Sequence, residues 1–151
     1  MSSAETVPPI VVLDTNVVLD WVVFRNPDCT ALVSAIVAGR LRWAATPAMR
    51  DELAHVLGRG HLDAWKPDSA ALWSLWAHHC EEMPPPSPRV PAGRLRCTDP
   101  DDQKFIDLAV DAGAEWLISR DRAVLKLARR LRERGVTTIP PGDWLPLTPA
   151  D

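Results

Sequence analysis

The chain has 151 residues, of which 46% are hydrophobic and 25% charged, and its net charge is −3. This length fits one compact domain with a filled core. No stretch approaches the roughly 20 apolar residues of a membrane span, the N-terminus lacks the basic and apolar runs of a signal peptide, and the three cysteines form no CxxC pair. We therefore expect a single cytoplasmic domain over residues 1–151, with its core at about 10–139.

The first half of the chain alternates apolar, β-branched runs with helical patterns. In order, these predict a strand, two helices, a strand and two helices, over residues 9–13, 17–24, 27–38, 41–45, 47–58 and 68–79. The strands are apolar throughout, as in parallel sheets that are covered on both faces. The second helix is expected to bury one face, formed by Leu32, Val33, Ile36 and Val37.

The second half of the chain begins with a proline-rich connector containing Pro84, Pro85, Pro86, Pro88 and Pro91. It is too short to separate two domains. A helix from Asp99 to Gly113, a strand over residues 116–118, one helix after Asp121 and a strand over residues 136–139 follow. Four strands alternating with helices predict an α/β fold, a three-layer α/β/α arrangement around a central parallel sheet.

Carboxylate side chains follow two of the predicted strands. Asp14 ends the first strand, and Asp121 follows the strand that begins at Trp116. In parallel α/β sheets ligands bind beyond the carboxyl ends of the strands, so neighbouring strands would bring both acids into one crevice. Two ionised carboxylates in contact repel each other, and a divalent cation removes that conflict. Mg²⁺ and Mn²⁺ prefer such hard oxygen ligands, which makes this edge a candidate metal site.

Two further acids lie near the starts of helices that reach the same edge. Glu52 is one turn into its helix and faces the body of the protein, whereas Asp51 faces solvent. The second contributor comes from the Asp-Pro-Asp-Asp helix start at residues 99–102, whose first aspartate is the predicted N-cap. Periodicity leaves Asp101 and Asp102 as alternatives. Either acid could instead serve only to cap the helix and offset its dipole.

Four short motifs, in this order, resemble the pattern of PIN-domain nucleases, and especially of VapC-like toxins from toxin–antitoxin pairs. The resemblance spans about residues 10–139. The motifs are Asp14-Thr15-Asn16, Glu52-Leu53 in a helix that ends with Val56-Leu57, Asp99-Pro100-Asp101-Asp102-Gln103-Lys104-Phe105, and Ser119-Arg120-Asp121.

The resemblance implies a PIN-like fold and a catalytic site formed by Asp14, Glu52, Asp102 and Asp121. It favours Asp102 over Asp101. The implied metal ligands are Asp14, Asp102 and Asp121, with Glu52 ligating a second ion or orienting the attacking water. Asn16 and Ser119 are implied as polar groups that orient the strand-end acids.

The function that the resemblance implies is hydrolysis of RNA phosphodiesters by an endoribonuclease that uses Mg²⁺ or Mn²⁺. The implied partners are the RNA substrate, an antitoxin protein and a second copy of the chain in a homodimer.

Basic residues are concentrated late in the chain. Seven lie between Arg120 and Arg134, where only two acids oppose them. Such a run is either a solvated helix face or a surface that faces phosphates beside the acidic site. The candidates for holding the RNA backbone are Arg50, Arg120 and Arg122.

Two other functions fit the pattern less well. A catalytically silent PIN-like module that binds RNA or a protein would not need all four acids, yet all four are present. A phosphatase of another doubly wound family would carry a second aspartate two residues after Asp14, where this chain has Asn16. Metal titration and assays on small phosphoesters separate these functions from a nuclease.

Overall fold

The computed structural model describes residues 7–86 and 95–145. Five strands form one parallel sheet in the order β3-β2-β1-β4-β5. Their bounds are β1 (Ile10–Leu13), β2 (Arg42–Ala45), β3 (Cys80–Glu82), β4 (Trp116–Ile118) and β5 (Thr137–Ile139).

Helices flank this sheet, which confirms the predicted three-layer α/β/α fold. None of the helices in the described residues is both long and apolar enough to span a membrane. The helices are α1 (Thr15–Val22), α2 (Thr30–Val37), α3 (Pro47–Gly58), α4 (Ser69–His79), α5 (Gln103–Asp111), α6 (Arg122–Leu125) and α7 (Ala128–Glu133).

The strand order reverses between β1 and β4. The chain steps outward from β1 to β2 and β3, then returns to place β4 on the other side of β1. Leu13 pairs with Ile118, and the backbone N–H of Asp14 donates to the carbonyl oxygen of Ile118 at 3.0 Å. A reversal of this kind opens a crevice at the carboxyl ends of the two strands. The fold therefore places the residues after β1 and β4 side by side.

Tryptophans fill much of the core next to the sheet. The ring of Trp43 on β2 lies 5.2 Å from that of Trp21 and 5.1 Å from that of Trp76, and Trp73 lies 5.8 Å from Trp76. Trp43 and Trp76 are buried and Trp73 is half-buried. Such tilted and edge-on contacts are typical of stabilising aromatic packing. These rings therefore pack against one another beside the sheet.

The prediction of four strands was wrong, because β3 is a fifth. Its sequence is Cys-Glu-Glu, and Glu81 and Glu82 are exposed because β3 is an edge strand beside β2. Glu81 forms an ion pair with Arg42 of β2 at 2.7 Å. A polar edge strand lacks the apolar pattern by which buried strands are recognised. Of the prolines that follow, Pro88 and Pro91 lie outside the described residues.

Two helix predictions also need correction. The helix after Asp121 is divided into α6 and α7, because the N–H of Leu127 bonds to the carbonyl of Val124 in a tighter turn. This turn keeps Leu127 buried while Ala128 is half-buried. In α2, a 3-10 turn over Pro27–Cys29 delays the helix start to Thr30. Its buried face is formed by Leu32, Ala35 and Ile36, and Val37 is 51% exposed.

Candidate metal centre

One hydroxyl group joins the residues that follow β1 and β4. Ser119 is fully buried, and its Oγ donates to Oδ2 of Asp14 at 2.6 Å. The same Oγ accepts the backbone N–H of Asp121 at 3.0 Å. Asp121 in turn caps α6, because its Oδ1 accepts the N–H of Ala123 at 2.8 Å. These bonds fix Asp14 and Asp121 in the crevice between the two strands.

Asp102 joins this pair from the start of α5. It closes a 3-10 turn over Pro100–Asp102, in which Asp99 accepts the N–H of Asp101 at 2.9 Å. Asp101 is exposed, whereas Asp102 is buried. Carboxylate oxygens of Asp14, Asp102 and Asp121 all lie within 4.8 Å of one another. Of the two aspartates that periodicity left open, the structure places Asp102 at the cluster.

The cluster is crowded with negative charge. Burial raises the pKa of Asp14, although hydrogen bonds from Ser119 and from the backbone of Asn16 oppose the shift. The pKa of Asp102 is raised to about 8, first by burial and then by its hydrogen bond with the Asp121 carboxylate. Without a cation, Asp102 therefore holds a proton at neutral pH. The side chain of Asn16 is exposed, so Asn16 contacts Asp14 through its backbone.

The residues of the cluster fit a divalent cation. Oδ2 of Asp102 is buried, and no described residue provides it with a hydrogen-bond partner. A buried carboxylate oxygen without a partner is costly unless a cation or a proton compensates it. Three carboxylates at this spacing form the all-oxygen ligand set that Mg²⁺ and Mn²⁺ prefer. The arrangement can therefore hold one such ion.

Glu52 on α3 lies next to the cluster but outside the set of three carboxylates. Its Oε2 accepts the hydroxyl of Thr15 at 2.7 Å, and its Oε1 forms an ion pair with Lys104. The charge of Glu52 reaches Asp14 and raises the pKa of Asp14. Thr15 and Lys104 were not assigned roles from the sequence. Both lie within the motifs quoted above, and this was the available signal.

The three candidate arginines lie in different environments. Arg120 forms ion pairs with Asp20 of α1 at 2.6 and 2.9 Å. Arg50 lies 5.6 Å from the centre of the Trp73 ring and 3.7 Å from Glu82. Arg122, the first residue of α6, is exposed. All seven basic residues between 120 and 134 are exposed.

Comparison with known proteins identifies the family. A family model of the PIN domain matches residues 10–123, from β1 into α6. A search of curated proteins finds no match. The matched range contains Asp14, Glu52, Asp102, Ser119 and Asp121. With the parallel sheet and the acidic cluster at its reversal point, this match shows that the chain belongs to the PIN domain family.

Proposed function

We propose that this protein is an endoribonuclease that depends on Mg²⁺ or Mn²⁺ and is the toxin of a toxin–antitoxin pair. PIN domains are generally metal-dependent nucleases, which supports the reaction class. The observation that carries the proposal is the convergence of Asp14, Asp102 and Asp121 within 4.8 Å of one another. RNA as the substrate and the toxin role follow from the resemblance of the four motifs to VapC-like toxins.

In this proposal Asp14, Asp102 and Asp121 hold the cation. A divalent ion bound there supplies an activated water for attack on phosphorus and offsets charge on the phosphate. Ser119 holds Asp14 and the backbone of Asp121 in position for that role. Asn16 holds Asp14 through its backbone N–H. Glu52, fixed by Thr15 and Lys104, contributes its charge at the edge of the cluster.

Basic side chains hold the RNA backbone in the proposed complex. The exposed run between Arg120 and Arg134 gives a positive surface in an otherwise acidic protein, and phosphate contacts supply most of the affinity in such interfaces. Arg122 and Arg50 are both exposed and can contact phosphates. Arg120 is assigned a more limited part, because its guanidinium is bonded to Asp20.

The proposed partners are an antitoxin protein and a second copy of the chain, and the proposed location is the cytoplasm. The two partners follow from the family resemblance. A small gene directly upstream, whose product co-purifies with this chain and inhibits RNA cleavage, is the expected finding. Sedimentation of the purified chain measures its oligomeric state directly.

The central test is an RNA cleavage assay with the wild-type chain, Asp14→Asn and the matched control Asp101→Asn. Cleavage should need Mg²⁺ or Mn²⁺, stop with EDTA and be abolished in Asp14→Asn, because a ligand oxygen is lost. Asp101→Asn should cleave at the wild-type rate, since Asp101 is exposed and outside the cluster. Full activity of Asp14→Asn contradicts the assignment of Asp14.

Two further measurements separate the proposal from its alternatives. A DNA oligonucleotide of the same sequence should be cut far more slowly than RNA, and equal cutting contradicts the ribonuclease part. Wild-type protein that neither binds Mn²⁺ nor cleaves RNA would instead indicate a silent PIN-like module. Circular dichroism of each variant checks that the fold is intact.

A further inference from the structure

Lys104 is a cation that the fold itself places beside the acidic cluster. It is the second residue of α5, two positions after Asp102. Its Nζ forms an ion pair with Glu52 of α3 and donates to the carbonyl oxygen of Asp101. The side chain is only 27% exposed, and Nζ lies 5.1 Å from the centre of the Phe105 ring. These contacts hold the ammonium group in one place.

Both carboxylate oxygens of Glu52 are already engaged. Oε1 is paired with Lys104, and Oε2 accepts the hydroxyl of Thr15 at 2.7 Å. A metal ion at Glu52 would share an oxygen with one of these partners, and the ammonium group of Lys104 would repel it at close range. Asp102 differs, because its buried Oδ2 has no hydrogen-bond partner among the described residues. The favourable position for a divalent cation is therefore at the three aspartates, because Glu52 already has a cation in contact with it.

We propose that the site takes one divalent cation, at Asp14, Asp102 and Asp121, and that Lys104 supplies the second positive charge by occupying Glu52. The inference rests on the proposed function, since it concerns the metal site of that reaction. A divalent ion and an ammonium group together offset most of the charge of the four carboxylates. A second divalent ion at Glu52 is disfavoured by the positive charge that Lys104 already places on the same carboxylate.

This assignment also decides between two roles for Glu52. Because the ammonium group of Lys104 opposes a second cation at this carboxylate, Glu52 acts on water or on the electrostatics of the cluster. Lys104 is then a positioning residue, because it acts through Glu52. Its replacement should change the number of ions bound, which the loss of a merely structural contact would not do.

The test is calorimetric titration of the full chain with Mn²⁺, which counts ions per chain. The wild type and Lys104→Arg should each bind one ion. Lys104→Met should bind a second, weaker ion, because Glu52 is freed while the three aspartates remain. The double variant Lys104→Met with Glu52→Gln should return to one ion. Two ions in the wild type, or one ion in Lys104→Met, overturns the inference.

A second variant keeps the test decisive where Lys104→Met does not fold. Glu52→Gln alone should still bind one ion, whereas a two-ion site that uses Glu52 would lose one of its two. The outcomes also separate this inference from the proposed function. No Mn²⁺ binding by the wild type refutes the metal-dependent nuclease, whereas two ions together with RNA cleavage refute only the role of Lys104.

Discussion

Ser119 shows how one small side chain can organise a charged site. A hydroxyl group can donate and accept at the same time, and Ser119 uses both capacities within the core. It donates to Asp14 after β1 and accepts from the backbone of Asp121 after β4. An alanine at this position removes both of these hydrogen bonds. This single oxygen atom therefore links the two strand-end acids.

Replacing Ser119 by alanine should destabilise the fold and weaken metal binding. Each buried group left without its hydrogen bond costs about 1–3 kcal/mol, so the free energy of unfolding should fall by at least about 1 kcal/mol. Urea unfolding and Mn²⁺ titration measure the two effects. Ser74→Ala on the exposed side of α4 is the control and should behave as wild type. An unchanged midpoint and Mn²⁺ affinity in Ser119→Ala would contradict this role.

At the residue scale, the sequence predicted which acids lie at the crevice between β1 and β4. It did not predict which groups each acid contacts. Asp14 and Asp121 were predictable because acids that directly follow apolar strands lie at the ligand-binding edge of a parallel sheet. The choice of Asp102 over Asp101 depended on the tight 3-10 turn that precedes α5. The pairing of Lys104 with Glu52 joins residues 52 positions apart in the chain, and no local pattern encodes it.

At the element scale, an ion pair ties α1 to the turn that follows β4. Asp20 of α1 is 3% exposed, and Arg120 contacts both of its carboxylate oxygens, at 2.6 and 2.9 Å. Arg120 lies between Ser119 and Asp121, so the pair fixes the segment that carries two residues of the site. Arg120 is exposed but Asp20 is buried, so removing Arg120 leaves a buried charge uncompensated, which costs more than losing a pair that is exposed on both sides.

Arg120→Ala should therefore destabilise the protein more than Arg122→Ala. We expect Arg120→Ala to lower the free energy of unfolding by about 2 kcal/mol, because Asp20 remains buried without its partner. Arg122→Ala should lower the free energy of unfolding by less than about 0.5 kcal/mol, because Arg122 is exposed. Urea denaturation of both variants gives the comparison. Adding Asp20→Asn to Arg120→Ala should recover part of the loss, and equal effects of the two arginine variants would argue against this role.

The elements that were missed share a physical reason. β3 has a charged sequence because it forms an edge, so only its pairing with β2 defines it as a strand. The division between α6 and α7 arises from one tighter hydrogen bond at Leu127, which leaves the apolar periodicity unbroken. Hydrophobic patterns report burial, and they do not report hydrogen-bond register. The buried strands and long helices were predictable because burial alone defines them.

For the whole molecule, the acidic cluster links stability to pH and to metal. Asp102 has a pKa of about 8 in the fold against 3.8 as a free side chain, and burial also raises the pKa of Asp14. A raised pKa means that the folded state holds its proton more tightly than the unfolded state does. These two groups should therefore make the metal-free protein less stable as pH rises from about 4 to about 8.

We expect the metal-free protein to have a lower free energy of unfolding at about pH 8 than at about pH 5. We also expect Mn²⁺ to stabilise the protein more at the higher pH. The ion competes with protons for the same oxygens, so its affinity should rise with pH. Urea unfolding in EDTA and in saturating Mn²⁺ at both pH values measures this. Asp102→Asn should remove much of the pH dependence of stability. An equal stabilisation by Mn²⁺ at both pH values would contradict the proposed link between the cluster and pH.

The layered architecture was predictable from the alternation of strands and helices, because that alternation requires crossovers that cover a parallel sheet. The strand order was not predictable in the same way. Only the return of the chain from β3 to the far side of β1 makes β1 and β4 neighbours. That return places Asp14 and Asp121 together, so the site depends on a long-range choice that local patterns do not contain.

The edges of the sheet have a consequence for how copies of the chain can meet. Both edge strands, β3 and β5, are three residues long, β3 carries two glutamates, and prolines follow soon after each at Pro84 and Pro140. Short, charged and proline-terminated edges resist pairing with a further strand. The sheet is thereby protected against growth into continuous fibrils. Pairing of a second copy along either edge is disfavoured for the same reason, and the crevice between β1 and β4 lies in the interior of the sheet, away from both edges.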